Sequence, residues 1–215
     1  ADNEAAPAAS PAATADADAS AQPLVPTKRV QLFIDGSWLY YAIFGGGPRC
    51  KIARKFGNDW QSSHHVDWAA IPQLISEHVE AELRMRKPGV PLAVDVTRCH
   101  VYSSLRVGQH VLERRRQMFD EMSALHFDVH LGTFSGTQEK CVDIALAVDM
   151  LHFAMVDGAY DVAVLVSGDA DFVPALMRTR ERGKQVAIAS MRPSASASFE
   201  AAELSSLAGE QPGQS

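Results

Sequence analysis

Tyr160–Phe172 reads YDVAVLVSGDADF, and its two halves follow different physical rules. The run Asp161–Val166 is nearly all aliphatic, as a central parallel strand is when helices cover both of its faces. The residues after it, Ser167-Gly168-Asp169-Ala170-Asp171, are small and acidic, a composition that ends a strand and caps the helix that follows. Downstream, Asp171–Arg182 is predicted as a helix closed by Gly183, and Gln185–Ala189 (QVAIA) as a last strand.

Working back toward the N-terminus, the same alternation recurs. Glu139–Val156 is a long helix with few breakers, and Phe127–Phe134 alternates apolar and polar residues as a half-buried strand does. Gln109–Leu125 is helical, with Val111, Leu112, Met118, Met122 and Leu125 on its core stripe, and Thr97–Ser104 is a β-rich run. Val66–Lys87 has helical period and stops at Pro88-Gly89, whereas Arg49–His65, with few apolar residues, is expected to be an exposed loop. Ser37–Phe44 begins a helix that Gly45–Gly47 and Pro48 must end, and Arg29–Ile34 is a buried strand. Strands separated by helices call for an α/β fold of three layers, with helices on both faces of a mainly parallel sheet.

The chain has 215 residues, enough for one domain with appendages. Residues 1–27 hold eleven Ala and four Pro but only Leu24 and Val25 as large aliphatics, too little to offset the entropy of ordering, so a disordered leader is expected there. The folded domain is expected over 28–191. Residues 192–215, rich in Ser, Ala, Gly and Gln, are expected to form a flexible tail with at most a weak helical turn near Phe199–Leu207. The net charge of -6 is concentrated in these ends: leader and tail carry seven acids, which leaves 20 basic against 19 acidic residues between Lys28 and Arg192. Net charge therefore makes no case for nucleic acid, and only local patches could. Cys50, Cys99 and Cys141 are odd in number and widely spaced, so reduced thiols in the cytoplasm are expected rather than disulfides or a zinc ribbon. No apolar run is long enough to span a membrane, and the N-terminus lacks the pattern of an intact signal peptide.

Ligands of open α/β sheets bind beyond the carboxyl ends of the strands, and two strands here end in aspartate. Asp35 follows Leu32-Phe33-Ile34, and Asp169 follows Val164-Leu165-Val166 with Asp171 two residues on. A third carboxylate, Asp143, falls near the start of the long helix. Carboxylates gathered at one edge repel each other, so a hard cation such as Mg²⁺ or Mn²⁺ is the natural companion. The histidines show no spacing that would favour zinc. Each aspartate also has a plain structural reading: Asp35-Gly36 as a turn, Asp169 as a cap, Asp143 as a partner of the helix dipole.

These residues resemble the NYN domain family, LabA-like members of the PIN-like nuclease superfamily. The matching pieces are FIDGS (33–37) with LYY (39–41), KCVDIALAVDML (140–151) and YDVAVLVSGDADFVPAL (160–176) followed by GKQVAI (183–188). The resemblance implies a PIN-like fold in which Asp35, Asp143, Asp169 and Asp171 form an acidic catalytic site, with Asp35, Asp143 and Asp169 holding Mg²⁺ or Mn²⁺ for RNA hydrolysis. Ser37, Trp38, Ser167 and Asp149 would support that site. Asp149 lies about 240° around the helix from Asp143, which suits a supporting place.

One position departs from the family. Trp38 stands where Asn is usual, and an indole has one donor and no oxygen acceptor. It could instead stack on a base or pack in the core. Among the basic clusters, Arg49, Lys51, Arg54 and Lys55 are the leading candidates for contacts to single-stranded RNA, because they follow the loop after Asp35. Arg114–Arg116 and Arg178, Arg180, Arg182 and Lys184 are further clusters. A metal-dependent ribonuclease is the leading reading; a nuclease-like module that binds RNA or a protein without cleaving is the second. A phosphatase is disfavoured because Ser37, not Asp, stands two residues after Asp35, and a dinucleotide enzyme because the first strand lacks a glycine-rich fingerprint.

Overall fold

The structure is a computed structural model that describes residues 25–45, 50–105, 111–132, 134–135, 138–139 and 141–190. The expected leader up to residue 24 and the expected tail over 192–215 lie outside the described residues. Strands β1 (Thr27–Asp35), β2 (Ala93–Ser104), β3 (Asp128–Gly132), β6 (Val162–Val166) and β7 (Gln185–Ala189) form one all-parallel sheet in the order β3-β2-β1-β6-β7. A two-stranded antiparallel hairpin, β4 (Phe134–Ser135) and β5 (Gln138–Glu139), stands apart from it. The helices are α1 (Gly36–Phe44), α2 (Lys51–Phe56), α3 (Ala70–Arg86), α4 (Val111–Ala124), α5 (Val142–Met155) and α6 (Val173–Glu181). The fold is α/β in three layers.

Strand alternation sorts the core into two halves. Val30, Leu32 and Ile34 of β1 and Val162, Val164 and Val166 of β6 meet α1, α3 and α4, through Leu39, Ile43, Val79, Met118 and Met122 among others. Phe33 of β1 and Ala163 and Leu165 of β6 face the other way, onto Leu146 and Met150 of α5 and Leu176 of α6. This division follows from handedness. Right-handed crossovers that step from β1 to β2 to β3 lay their helices on one face; restarting beyond β1 with β6 and β7 lays them on the other.

Four expectations need correction. Arg49–His65 is not a plain exposed loop: it contains α2 and a 3₁₀ turn at Trp60–Ser62, and Cys50, Ala53 and Trp60 are buried in the first core half. The apolar residues of this stretch are few and not periodic, yet all but Phe56 join the core, Trp60 against Phe44 with ring centroids 5.7 Å apart. Phe127–Phe134 is not one strand, because β3 stops at Gly132 and Phe134 enters the hairpin. The long helix accordingly starts at Val142, after Cys141 in a left-handed conformation (φ 63°), and not at Glu139. Leu125, assigned to the α4 core stripe, is 43% exposed because α4 has already ended.

Gly36 lets α1 start hard against β2. A Cβ there would lie 2.9 Å from a Phe119 ring carbon and 3.0 Å from the Tyr102 carbonyl oxygen. Gly36→Ala is expected to destabilise the protein by about 1–3 kcal/mol, read from the denaturation midpoint.

A polar pair is buried in the second core half. His100 is stacked between Phe33 and Phe153, with centroids 5.2 and 5.0 Å away. The Gln31 Nε2 donates to the Ala159 carbonyl at 3.2 Å, so Gln31 presents Oε1 to His100 Nε2 at 3.3 Å, and that nitrogen carries the proton. Burial lowers the His100 pKa from 6.5 to about 4, against a smaller opposing pull from Asp128. The unfolded chain therefore takes up this proton first as pH falls. Stability contributed by neutral His100 is complete above pH 6.5 and is lost on acidification toward pH 4. The loss amounts to about 3 kcal/mol. His100→Gln should flatten that part of the stability profile, measured by urea unfolding across the same interval.

Candidate active site at the carboxyl edge of the sheet

Strands β1 and β6 are paired up to Ile34 and Val166, and strand order reverses between them. Side chains just past their ends are therefore neighbours at the place where open α/β sheets open a crevice. Asp35 sits there, 6% exposed. Its Oδ1 accepts the Trp38 backbone N–H at 2.9 Å, making it the N-cap of α1, and its Oδ2 accepts the Ser167 hydroxyl at 2.9 Å. The fully buried Ser167 Oγ in turn accepts the Asp169 N–H at 3.1 Å, and Asp169 Oδ1 accepts the Asp171 N–H at 3.0 Å. One hydroxyl thus orients the first carboxylate and positions the backbone of the second. The structural and functional readings of Asp35 and Asp169 are compatible, since each caps a helical turn at the same edge.

Asp143 is exposed in the first turn of α5, whose buried stripe runs through Val142, Leu146 and Met150. Asp171 is exposed in the 3₁₀ turn Ala170–Phe172 that leads into α6. Asp149, farther down α5, accepts the Tyr102 hydroxyl at 2.9 Å, a strut between α5 and β2. Burial, reinforced by Asp149, raises the Tyr102 phenol well above its usual pKa, so it remains a donor. Among the described residues, no three or more His, Cys, Asp or Glu side chains are grouped to hold a metal ion. The donor chemistry at the edge nevertheless suits a hard cation: the Asp35 carboxylate and the backbone of Asp169 share the Ser167 hydroxyl, which brings two aspartates to one edge, and Mg²⁺ is commonly held by one or two carboxylates with waters and substrate phosphate.

Of the first basic cluster, Arg49 lies outside the described residues. The others belong to α2, with Arg54 and Lys55 exposed. The Cys50 thiol donates to the Ile43 carbonyl at 3.3 Å, so α2 starts beside the last turn of α1, about 13 Å along the helix from Asp35. In the third cluster, Lys184 bonds the Tyr160 carbonyl at 2.8 Å, and both residues precede strands, at the opposite edge from the aspartates.

From the second basic cluster, Arg114–Arg116, one residue does reach the carboxyl edge. Arg115 of α4 is 8% exposed and donates through Nη2 to Ser37 Oγ at 2.6 Å and Ser103 Oγ at 2.7 Å, which ties α4 to the start of α1 and the end of β2. Its signal was the spacing 115, 118/119, 122, which puts Arg115 on the buried stripe of α4. Trp38 is half-buried and packs on the first core half, so it serves Asp35 through its backbone while its indole joins the core.

The sequence model of the NYN domain matches residues 29–207. The chain belongs to the NYN domain family. NYN domains are PIN-like nucleases that bind nucleic acid, so the acidic edge belongs to a nuclease-type domain. A crystal structure of a protein of unknown function from Vibrio parahaemolyticus is similar to it, with 16% identity, a TM-score of 0.53, and coverage of 81% of this chain and 88% of that one. That likeness concerns the fold alone. A comparison with curated proteins found no match. Among the described residues, no helix of this NYN domain is long and apolar enough to cross a membrane.

Ser167→Ala is expected to cost about 1–3 kcal/mol by taking the hydroxyl donor from a buried carboxylate. Denaturant unfolding checks it, and a parent-like midpoint would show that the Ser167–Asp35 bond contributes nothing.

Proposed function

We propose that this NYN domain is a metal-dependent ribonuclease of the LabA-like type that cuts single-stranded RNA in the cytoplasm. The observation that carries the reading is the pairing of Asp35 and Asp169 across one buried serine at the point where strand order reverses. Left alone, two carboxylates there would repel a phosphodiester; a cation between them and the phosphate turns repulsion into attraction. Mg²⁺ or Mn²⁺, when bound, activates water and neutralises charge developing on the phosphate.

The chain's own residues do the rest. Asp35, fixed by Trp38 N–H and Ser167, and Asp169, fixed through its backbone, hold the ion, with Asp143 as the third carboxylate in the family's motif order. Asp171 adds negative charge beside them, and Ser37 and Asp149 brace the elements that carry the site through Arg115 and Tyr102. Arg54 and Lys55, with Arg49 and Lys51 of the same stretch, contact phosphates of the strand farther along. Three free cysteines, two of them buried, suit a reducing compartment.

Asp169→Asn is expected to bring cleavage of labelled single-stranded RNA in Mn²⁺ down to the level seen in EDTA, while the fold persists and is not less stable without metal. Parent-like cleavage by the variant, with contaminating nuclease excluded, defeats the assignment. The second reading, a domain that binds RNA or a protein without cleaving it, draws on Trp38, whose indole cannot replace the oxygen of an Asn side chain. Parent protein that binds the RNA in a gel shift yet leaves it intact in both Mg²⁺ and Mn²⁺ supports that reading.

A further inference from the structure

We infer that a second cleft, on the α1 and α4 side of the domain and separate from the aspartates, is a ribonucleotide subsite that receives one base. It occupies about 250 Å³. That is less than the usual range for drug-sized ligands and suits a single ring system with its sugar outside. Its apolar wall is aromatic. Phe44, half-exposed, stacks on Trp60 at an interplanar angle of 18° and also packs on Trp68, with centroids 6.5 Å apart. Trp60 and Trp68 are only 4% and 3% exposed, so they act as a rigid backing while Phe44 supplies the accessible ring.

The rim is polar and already oriented. Glu121 accepts the Trp68 indole N–H on Oε2 at 2.9 Å and the Gln117 amide on Oε1 at 2.9 Å. With its NH₂ group turned to Glu121, Gln117 keeps its carbonyl oxygen as an acceptor, and Gln61 brings a second amide to the same cleft. Fixed donors and acceptors around an aromatic wall are what an unstacked base needs: a ring contact for its face and hydrogen bonds for its edge. Arg114, His64 and His65 complete the rim, and the guanidinium of Arg114 gives it a cationic side for the attached phosphate.

The cleft is also connected to the acidic edge. It follows α4 from Arg114 to Glu121, about 10 Å, and the next residue, Arg115, is the one bonded to Ser37 and Ser103 at the carboxyl ends of the strands. A strand lying over the aspartates therefore has a path along α4 into the cleft. The RNA source of the base rests on the ribonuclease reading; the cleft's affinity for a nucleotide does not.

The test uses the full chain in EDTA, so that no probe is cleaved. AMP, GMP, CMP and UMP, and a 2′-O-methyl oligonucleotide of mixed sequence, are titrated while the fluorescence of the cleft tryptophans is followed. Saturable binding of at least one of these probes is expected. Arg114→Ala and Gln117→Ala, both at exposed positions, should each weaken it roughly fivefold or more, and Gln117→Trp, which fills the cleft, should abolish it. Inorganic phosphate should compete poorly. In Mn²⁺, the two alanine variants should raise KM for RNA and leave kcat in place. Binding of mononucleotides identifies a site for free nucleotides as well as RNA, and binding of the oligonucleotide alone identifies a site for the strand. Absence of saturable binding by every probe, parent-like affinity in all three variants, or equal competition by phosphate overturns the inference. Cleft binding in a protein that never cleaves RNA sinks the ribonuclease reading and keeps the subsite; cleavage with parent-like KM in both alanine variants does the reverse.

Discussion

The hydroxyl of Ser167 is the joint on which the carboxyl edge of this domain depends. It donates to Asp35 and accepts from the backbone of Asp169, so two segments 132 residues apart in sequence meet through one oxygen. The meeting requires β1 and β6 to lie side by side and in register, and that adjacency requires the chain to abandon the β3 edge and restart on the far side of β1. A buried carboxylate without such partners would carry a large desolvation penalty. The fold therefore does more than support the acidic edge: only with the sheet complete does Asp35 have an energetically acceptable place.

Two faces of the sheet converge on this edge with different chemistry. On the α5 and α6 face, the strut between Tyr102 and Asp149 and the stacked His100, bonded to Gln31, bring polar groups into the interior. On the α1 and α4 face, the guanidinium of Arg115 does the equivalent, holding two serine hydroxyls and lying over the rings of Tyr40 and Tyr41 at 5.6 and 5.8 Å. Polar groups of this kind make a core directional. Hydrophobic contact tolerates small sliding, whereas hydrogen bonds fix how helices begin relative to strand ends.

Much of this was legible in sequence where local pattern and tertiary role coincide. The aliphatic run of β6 had to be covered on both faces, and β7 falls on the predicted residues because it too follows a glycine-closed helix. That Asp35 and Asp169 end adjacent strands follows from the same reading. The stretch Arg49–His65 was not legible, because Cys50, Ala53 and Trp60 are buried by partners distant in sequence and not by a periodic face of their own. The Arg114–Arg116 cluster was visible as charge, but the burial of Arg115 was hidden for the opposite reason: it lies on a periodic face whose apolar stripe a charged residue interrupts. Asp143 could be assigned by family motif, and nothing in local pattern could say how its side chain stands relative to Asp35.

The cap on Asp35 has a consequence for how this position tolerates change. Because the bond comes from the main chain of residue 38, the pose of the carboxylate is indifferent to the side chain carried there, proline excepted, since proline has no N–H to offer. Holding the first aspartate in place is thus a task of the main chain, while the side chain at position 38 packs on the core. Drift at position 38 can change that packing without touching the cap, which accommodates Trp38 in a chain whose Asp35 stays held.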